Sequence, residues 1–345
     1  MTARRDQSFT SRATGTRLGE ISLVVPVLDE AASLAALIGS IRCQSRAPDE
    51  VVLVDGGSTD GTVALADALV AHDPRYRILE AGPATPGRGR NVGIEAATHD
   101  WIALTDAGIV LEPGWLAHLE AAALAKPAAW VAWGTYEPRV SSFLDSCASA
   151  AYVPPMVSTP AGHLRGPCVA SCLLHRHAWE LAGGFPDLRA AEDLVFIERL
   201  DEAGVVATWA PKAVVSWSLP ASLAQTFRRF RAYSFHNVLA GRQAAWHYGV
   251  ARMYVPGTLV GLGAIVVDRR LIALLGAGAA ARALASTLRR RENRSLMWAL
   301  NPLRLVGVAA VLAVVDAATF CGWADALGHR ARSHAHAPAI ERVAP

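Results

Sequence analysis

The chain is 345 residues long, 52% apolar and 18% charged, with a formal net charge of +3 and a mean hydropathy of +0.26. The length suits one large domain or two modest ones. The charge is too small to argue for a nucleic-acid partner, and the apolar excess is high for a soluble enzyme and unevenly spread. Arginine supplies nearly all the positive charge and gathers towards the C-terminus, which points to anionic lipid or phosphate. Five cysteines, an odd number without a C-x-x-C pair, fit a reduced compartment where they act as small apolar side chains. Residues 1–19 are polar and lack the apolar segment of a secretion signal, so a flexible tail is expected there.

In chain order, residues 21–27 read as a first strand ending near Pro26, and residues 31–41 have helical apolar spacing. Residues 51–54 form a second strand, four apolar and mostly β-branched residues that stop at Asp55-Gly56-Gly57. Ser58 and Asp60 can cap the helix that follows over residues 62–71. A short third strand (76–80) leads through a Gly/Pro-rich loop (81–87) to a helix that carries Arg88 and Arg90 and ends near Ala97. A fourth strand (101–105) stops at Asp106-Ala107-Gly108. Helix 114–126 and strand 130–135 follow, then a proline-rich stretch (137–167) expected to be a long functional loop. Residues 169–174 read as strand, 178–182 as a helix stopped by Gly183-Gly184, and 192–202 as a helix opened by Glu192-Asp193. Two short strands (205–209 and 214–217) and a basic helix (223–242) complete this part. Strands alternating with helices at this spacing predict an α/β fold with a mostly parallel, Rossmann-type sheet covered on both faces.

Carboxylates at the carboxyl ends of such strands stand where open α/β sheets bind ligands. The ordered set Val25-Pro26…Glu30, Val54-Asp55-Gly56-Gly57-Ser58-Thr59-Asp60-Gly61-Thr62, Arg90-Asn91-x-Gly93, Thr105-Asp106-Ala107-Gly108, Gly183-Gly184-Phe185 and Glu192-Asp193 resembles family 2 glycosyltransferases of the GT-A fold. The resemblance covers roughly residues 20–234. The sequence departs from the family pattern at Gly56, where many members have a second Asp, and at Gly108, which leaves the usual D-x-D acid pair as Asp106 alone.

The resemblance implies a nucleotide-diphosphate sugar as donor, with Pro26, Glu30, Asp55 and Gly57 around the nucleoside. Asp106 would offer a hard oxygen to Mg²⁺ or Mn²⁺, with the metal leaning more on phosphate and water because Gly108 supplies no acid. Arg88 and Arg90, near a helix start, would share the pyrophosphate charge. Asp193 matches the position of the general base, which implies inversion at the anomeric carbon, and Glu192 is either a second catalytic acid or a structural one. Gln225 to Arg231 resembles the Q-x-x-R-W motif without its tryptophan, which places Arg228 near phosphate or acceptor.

Residues 246–328 carry three oily blocks, the last of which (303–323) is about long enough to cross a bilayer core of roughly 30 Å. Asp316 within it argues against a simple lipid-facing span. The basic stretch from Arg289 to Arg294 is expected on the cytosolic side. The division expected is therefore a tail (1–19), a catalytic domain (20–245), a membrane-associated helical region (246–328) and a second tail (329–345). The catalytic domain would work on the cytoplasmic face of the cell membrane, on a sugar or lipid-linked acceptor, with membrane lipid as a further partner, in envelope polysaccharide or glycolipid synthesis. Competing readings are a non-catalytic sugar-nucleotide-binding scaffold, favoured by Gly108, and a nucleotidyltransferase, disfavoured because Leu28-Asp29-Glu30 follows the first strand instead of a glycine- and lysine-bearing loop.

Overall fold

Strands β1 (Ile21–Val27) and β2 (Glu50–Asp55) are apolar at successive positions, so both of their faces must be covered. In the computed structural model, which describes residues 17–159 and 162–335, alternate residues of β1 enter two different cores. Leu23 and Val25 pack with Leu34, Leu37 and Trp115 on one side of the sheet, and Val24 packs with Val54, Ile94 and Phe196 on the other.

The elements that follow β1 are α1 (Leu34–Arg42), β2, α2 (Thr62–Val70), β3 (Tyr76–Glu80), α3 (Pro86–Ala96), β4 (Trp101–Leu104), β5 (Ile109–Leu111), α4 (Trp115–Ala125) and β6 (Val131–Arg139). After these come α5 (Phe143–Tyr152), β7 (Val157–Thr159), β8 (Gly162–Leu164), β9 (Cys172–His175), α6 (Arg176–Leu181), α7 (Glu192–Glu202) and β10 (Ala207–Ser218). The helices α8 (Leu223–Leu239), α9 (Gln243–Val266), α10 (Ile272–Arg289), α11 (Leu296–Ala299) and α12 (Pro302–Ala335) complete the described chain.

The chain divides into two compact units. The first holds the chain up to Glu137, Val157–Asp187 and Glu192–Trp217, and contains an eight-stranded sheet of order β3-β2-β1-β4-β9-β6-β10-β5. Strands β3, β2, β1 and β4 are mutually parallel, whereas β9 runs antiparallel to both β4 and β6, and β10 antiparallel to β5. The parallel half thus follows the predicted alternation of strand and helix, and the antiparallel half begins where that alternation loosens.

Helix α3 lies close on the parallel half because glycine lines the face it presents. A Cβ at Gly93 would fall 2.3 Å from Val24 Cγ1 and 2.9 Å from Val54 Cγ2, and one at Gly89 would fall 3.2 Å from Pro26 Cβ. Larger residues would lift the helix off the sheet. Thr85 caps its start, accepting from the Arg88 N–H at 3.2 Å, with Pro86 in the first turn.

Three local expectations need correction. Residues 169–171 form a 3₁₀ turn, and the strand begins only at Cys172. The two short strands expected over 205–217 are one strand, β10, which runs through Pro211; proline is tolerated in a strand where its missing N–H costs no ladder bond. The stretch 137–167 is not one long loop. It contains α5, whose start is fixed by a reciprocal capping box between Ser142 and Asp145, and the β7–β8 hairpin. Pro138, Pro154 and Pro155 flank α5 and do not break it.

The second unit comprises Pro138–Met156, Leu188–Ala191 and the chain from Ser218. Its core joins Cys147, Ala150 and Ala151 of α5 to Ala283 of α10 and to Val308 and Val311 of α12. A Cβ at Gly307 would meet Cys147 Sγ at 2.5 Å, and one at Gly322 would meet the Arg231 carbonyl at 2.3 Å, so small residues let α12 lie against α5 and α8. Among the described residues, three helical segments are long and apolar enough to cross a membrane: Trp246–Val266, Arg269–Arg289 and Pro302–Arg332. The first lies in α9, which starts at Gln243 and continues through Pro256. Asp316 is buried. Its carboxylate receives Arg282 Nη2 at 2.9 Å, Arg282 Nη1, and the Tyr254 hydroxyl at 2.8 Å, so one contact set spans α9, α10 and α12. Helix α12 continues to Ala335, past the start expected for the second tail. The expected tails lie outside the described residues over 1–16 and 336–345.

Candidate active site

The carboxyl ends of β2, β1 and β4 lie side by side, and the loops that follow them are locked together. Asp29 N–H donates to Ser58 Oγ at 2.9 Å, Glu30 N–H to Thr62 Oγ1 at 2.8 Å, and Ala31 N–H to Asp60 Oδ2 at 3.1 Å. In return Thr59 N–H donates to Asp29 Oδ1 at 2.8 Å. The polar run from Ser58 to Thr62 therefore holds the β1–α1 loop as well as starting α2. Asp55, 4% exposed, takes the N–H groups of Gly57 and Ser58 at 2.8 and 3.0 Å, and this forms the glycine turn with Gly57 at φ +94°. Its carboxylate is thus directed at its own turn.

Across β1, Asp106 follows β4, and Gly108 adopts φ +78°. The Glu30 carboxylate lies 3.4 and 3.5 Å from the position a Cβ at Gly108 would occupy. A carboxylate from the first loop therefore stands beside the place where the expected acid pair lacks its second member. Ser33 Oγ donates to this carboxylate.

The centre of the site is Arg90. Its guanidinium, 3% exposed, donates from Nη2 to Asp106 Oδ1 at 2.5 Å and from Nη1 to Glu192 Oε1 at 2.8 Å, and lies 5.4 Å from the Phe185 ring centroid. The two carboxylates hold the guanidinium pKa above its ordinary value despite burial. Arg90 is thereby committed to tying α3, the end of β4 and the start of α7 together. Arg88, two residues away on α3, is exposed. The two arginines expected to act jointly therefore point apart.

Asp193 is next to Glu192 in the first turn of α7, and its Oδ1 accepts the Leu194 N–H at 2.8 Å. Burial raises its pKa, Arg90 opposes that rise, and the Asp106 charge adds to it. Burial likewise raises Glu192 against the pull of Arg90. The neighbouring Cys168 thiol is pushed up to about 12 by burial and by the charges of Asp106 and Asp193, so it is a neutral thiol at physiological pH. Burial, with Cys168 nearby, raises the Tyr136 phenol, whose ring meets Trp217 edge-on at 6.2 Å.

Sequence reasoning gave no role to Asn91, yet it anchors the loop before α7. Its Oδ1 accepts from Trp179 Nε1 and Phe185 N, both at 2.9 Å, and its Nδ2 donates to the Phe185 carbonyl at 2.8 Å. Phe185 stacks on Phe196 of α7 with centroids 3.9 Å apart. The signal was the Asn91 amide lying in the quoted Arg90-Asn91-x-Gly93 run. Three histidines make local contacts: His175 caps α6 and packs edge-on against Trp101, His177 contacts Glu180, and His163 contacts Ser158. Arg228 is exposed on α8, in the second unit.

Among the described residues no three His, Cys, Asp or Glu side chains gather as a metal-binding set. The residues present nevertheless fit a cation that takes most of its ligands from elsewhere. Asp106 uses Oδ1 for Arg90, its side chain is 37% exposed, and Oδ2 has no protein partner among the described residues. One carboxylate oxygen plus phosphate and water oxygens is a sufficient set for Mg²⁺ or Mn²⁺.

Residues 22–155 match the family described as Glycosyl transferase family 2. Curated relatives include the succinoglycan biosynthesis protein ExoO of Rhizobium meliloti, 35% identical over 98 residues, covering 28% of this chain and 28% of that protein. The pre-mycofactocin glycosyltransferase of Mycobacterium tuberculosis is 28% identical over 215 residues, covering 57% of this chain and 42% of that protein. The chain spans less than half the length of either relative. Among solved structures, the mannosyltransferase PcManGT of Pyrobaculum calidifontis, in complex with GDP-Man and Mn²⁺, shares the fold. It has a TM-score of 0.60 and 20% identity, with 87% of each chain covered.

Proposed function

We propose that the chain, whose residues 22–155 match glycosyl transferase family 2, is an inverting glycosyltransferase moving a hexosyl group from a nucleotide-diphosphate sugar to an acceptor hydroxyl. The observation that carries the reading is the buried Arg90, which fixes Asp106 and Glu192 beside Asp193 at the carboxyl end of the parallel strands.

In the reaction the acceptor oxygen attacks the anomeric carbon while the bond from that carbon to the diphosphate oxygen breaks, and the bonding pair leaves with the diphosphate. The acceptor proton passes to the Asp193 carboxylate, whose raised pKa makes it a stronger base than an exposed aspartate. One base opposite one leaving group requires no covalent intermediate, so the configuration inverts. Glu192 stays paired with Arg90 and positions the first turn of α7. Pro26, Glu30, Asp55 and Gly57 frame the nucleoside at the ends of β1 and β2, and the exposed Arg88 meets the diphosphate from α3. A Mg²⁺ or Mn²⁺ ion held at Asp106 Oδ2 would neutralise charge on the departing diphosphate.

Among the described residues, three segments with the length and composition of membrane spans, together with the basic run from Arg289 to Arg294, support attachment to the cell membrane with the catalytic unit on the cytoplasmic side. That location suits a lipid-linked or growing saccharide acceptor in envelope polysaccharide or glycolipid synthesis. The test is thermal unfolding of the detergent-solubilised chain against a panel of nucleotide-diphosphate sugars, GDP-mannose among them, with and without Mn²⁺. One donor should raise the midpoint by several degrees, the more so with Mn²⁺. A panel in which no donor moves the midpoint contradicts the proposal.

A further inference from the structure

The connection between α10 and α12 carries a feature that sugar transfer does not use. Between residues 289 and 304 there are five arginines (Arg289, Arg290, Arg291, Arg294 and Arg304) and one acid, Glu292. Two of the arginines converge on a single indole: the Arg294 Cζ lies 4.6 Å, and the Arg304 Cζ 4.1 Å, from the Trp298 ring centroid. Arg290 is committed elsewhere, donating from Nε to the Val153 carbonyl at 2.5 Å and from Nη1 to Ser286 Oγ at 2.8 Å.

Arg294 and Arg304 are instead held on the Trp298 ring. Neither forms an ion pair among the described residues. Arg304 gives Nη1 to the Trp298 carbonyl at 3.0 Å, while its Nε is buried without an acceptor. Two like charges on one ring repel unless an anion joins them. The surroundings say which kind of anion. Met297 is 79% exposed, Leu303 73% and Val306 69%; Met297 precedes, and Leu303 and Val306 lie at the start of, a segment with the length and composition of a membrane span. Tryptophan and arginine beside exposed aliphatic side chains at the end of such a segment match the depth at which lipid phosphates lie.

We propose that Arg294 and Arg304, held on Trp298, bind the headgroup phosphate of an anionic phospholipid whose acyl chains lie along Leu303 and Val306. The site is separate from the transfer chemistry and does not depend on it.

The full chain, delipidated in detergent, is titrated with phosphatidylglycerol or with phosphatidylcholine of the same acyl chains, and bound lipid is counted by native mass spectrometry. Phosphatidylglycerol should bind about tenfold more tightly than phosphatidylcholine. Arg294→Gln/Arg304→Gln should abolish that preference, while Arg289→Gln changes it by less than about twofold. Equal binding of the two lipids, an unchanged preference in the double variant, or an equal loss in Arg289→Gln would each overturn the proposal. Displacement of phosphatidylglycerol by millimolar inorganic phosphate would do the same, because it assigns the site to free phosphate. Should the double variant lose its helical circular dichroism, Arg294→Lys/Arg304→Lys takes its place. Lysine keeps the charge but not the planar fork, so the preference should weaken by about threefold or more, and full retention overturns the assignment.

Discussion

Arg90 and Asp106 are joined by a 2.5 Å hydrogen bond from Nη2 to Oδ1, and the other arm of the same guanidinium holds Glu192. One buried side chain thus sets the spacing between the end of β4 and the start of α7. Because Glu192 is itself 6% exposed, removing its cation leaves a buried carboxylate unpaired. Arg90→Met should therefore destabilise the chain by about 3–5 kcal/mol, read as a lowered thermal midpoint. An unchanged midpoint would show that the pair contributes nothing net.

The raised pKa of Asp193 has consequences of opposite sense for activity and stability. A base must be ionised to accept a proton, so the acid limb of the kcat/KM profile should fall at a pH above the ordinary aspartate value of about 3.9. For stability, a carboxyl that holds its proton more tightly when folded stabilises the fold fully below its unfolded pKa. That contribution is lost as pH rises through the folded one. Asp193→Asn cannot ionise and escapes the loss. Its stability relative to wild type should therefore rise between about pH 4 and pH 7. A constant difference across that range would mean that the carboxyl titrates normally.

Asn91→Ala removes three hydrogen bonds around Phe185 and leaves the Trp179 indole N–H and the Phe185 N–H without their acceptor. At about 1 kcal/mol per bond the loss should be roughly 2–3 kcal/mol. Donor binding, measured by calorimetry, should weaken far less than turnover, since the Phe185–Phe196 contact steadies α7 and not the nucleoside end. Equal losses in both would remove that division of labour.

In the helical unit, Arg282→Met strands the buried Asp316 carboxylate and should cost about 3–5 kcal/mol in detergent. Arg282→Met/Asp316→Leu removes both charges and should recover most of it. A double variant as unstable as the single one would show that the carboxylate serves some other contact.

Much of the parallel half was legible in the sequence because its central strands are mostly apolar and stop at glycine or acid, as at Val54-Asp55-Gly56. The antiparallel half was harder. Pro211 reads locally as a break, but tertiary pairing carries β10 through it, and Pro138, Pro154 and Pro155 hide α5 by bracketing it. At the site, the acids were identifiable by their positions after strands. What local sequence cannot give is partnership. Arg90 reaches Glu192 across 102 positions, and the Glu30 carboxylate stands beside the place a Gly108 side chain would fill. Likewise Asp316 looked anomalous within its oily segment until Arg282 and Tyr254 were brought to it by packing.

The central claim concerns Asp193 as the group that takes the acceptor proton. It is tested most directly by comparing donor affinity with single-turnover transfer in Asp193→Asn. Transfer should fall by about a hundredfold or more, as expected for loss of a general base, while the donor Kd stays within about threefold of wild type. Transfer at the wild-type rate, or a donor affinity that collapses in step with it, would contradict the assignment.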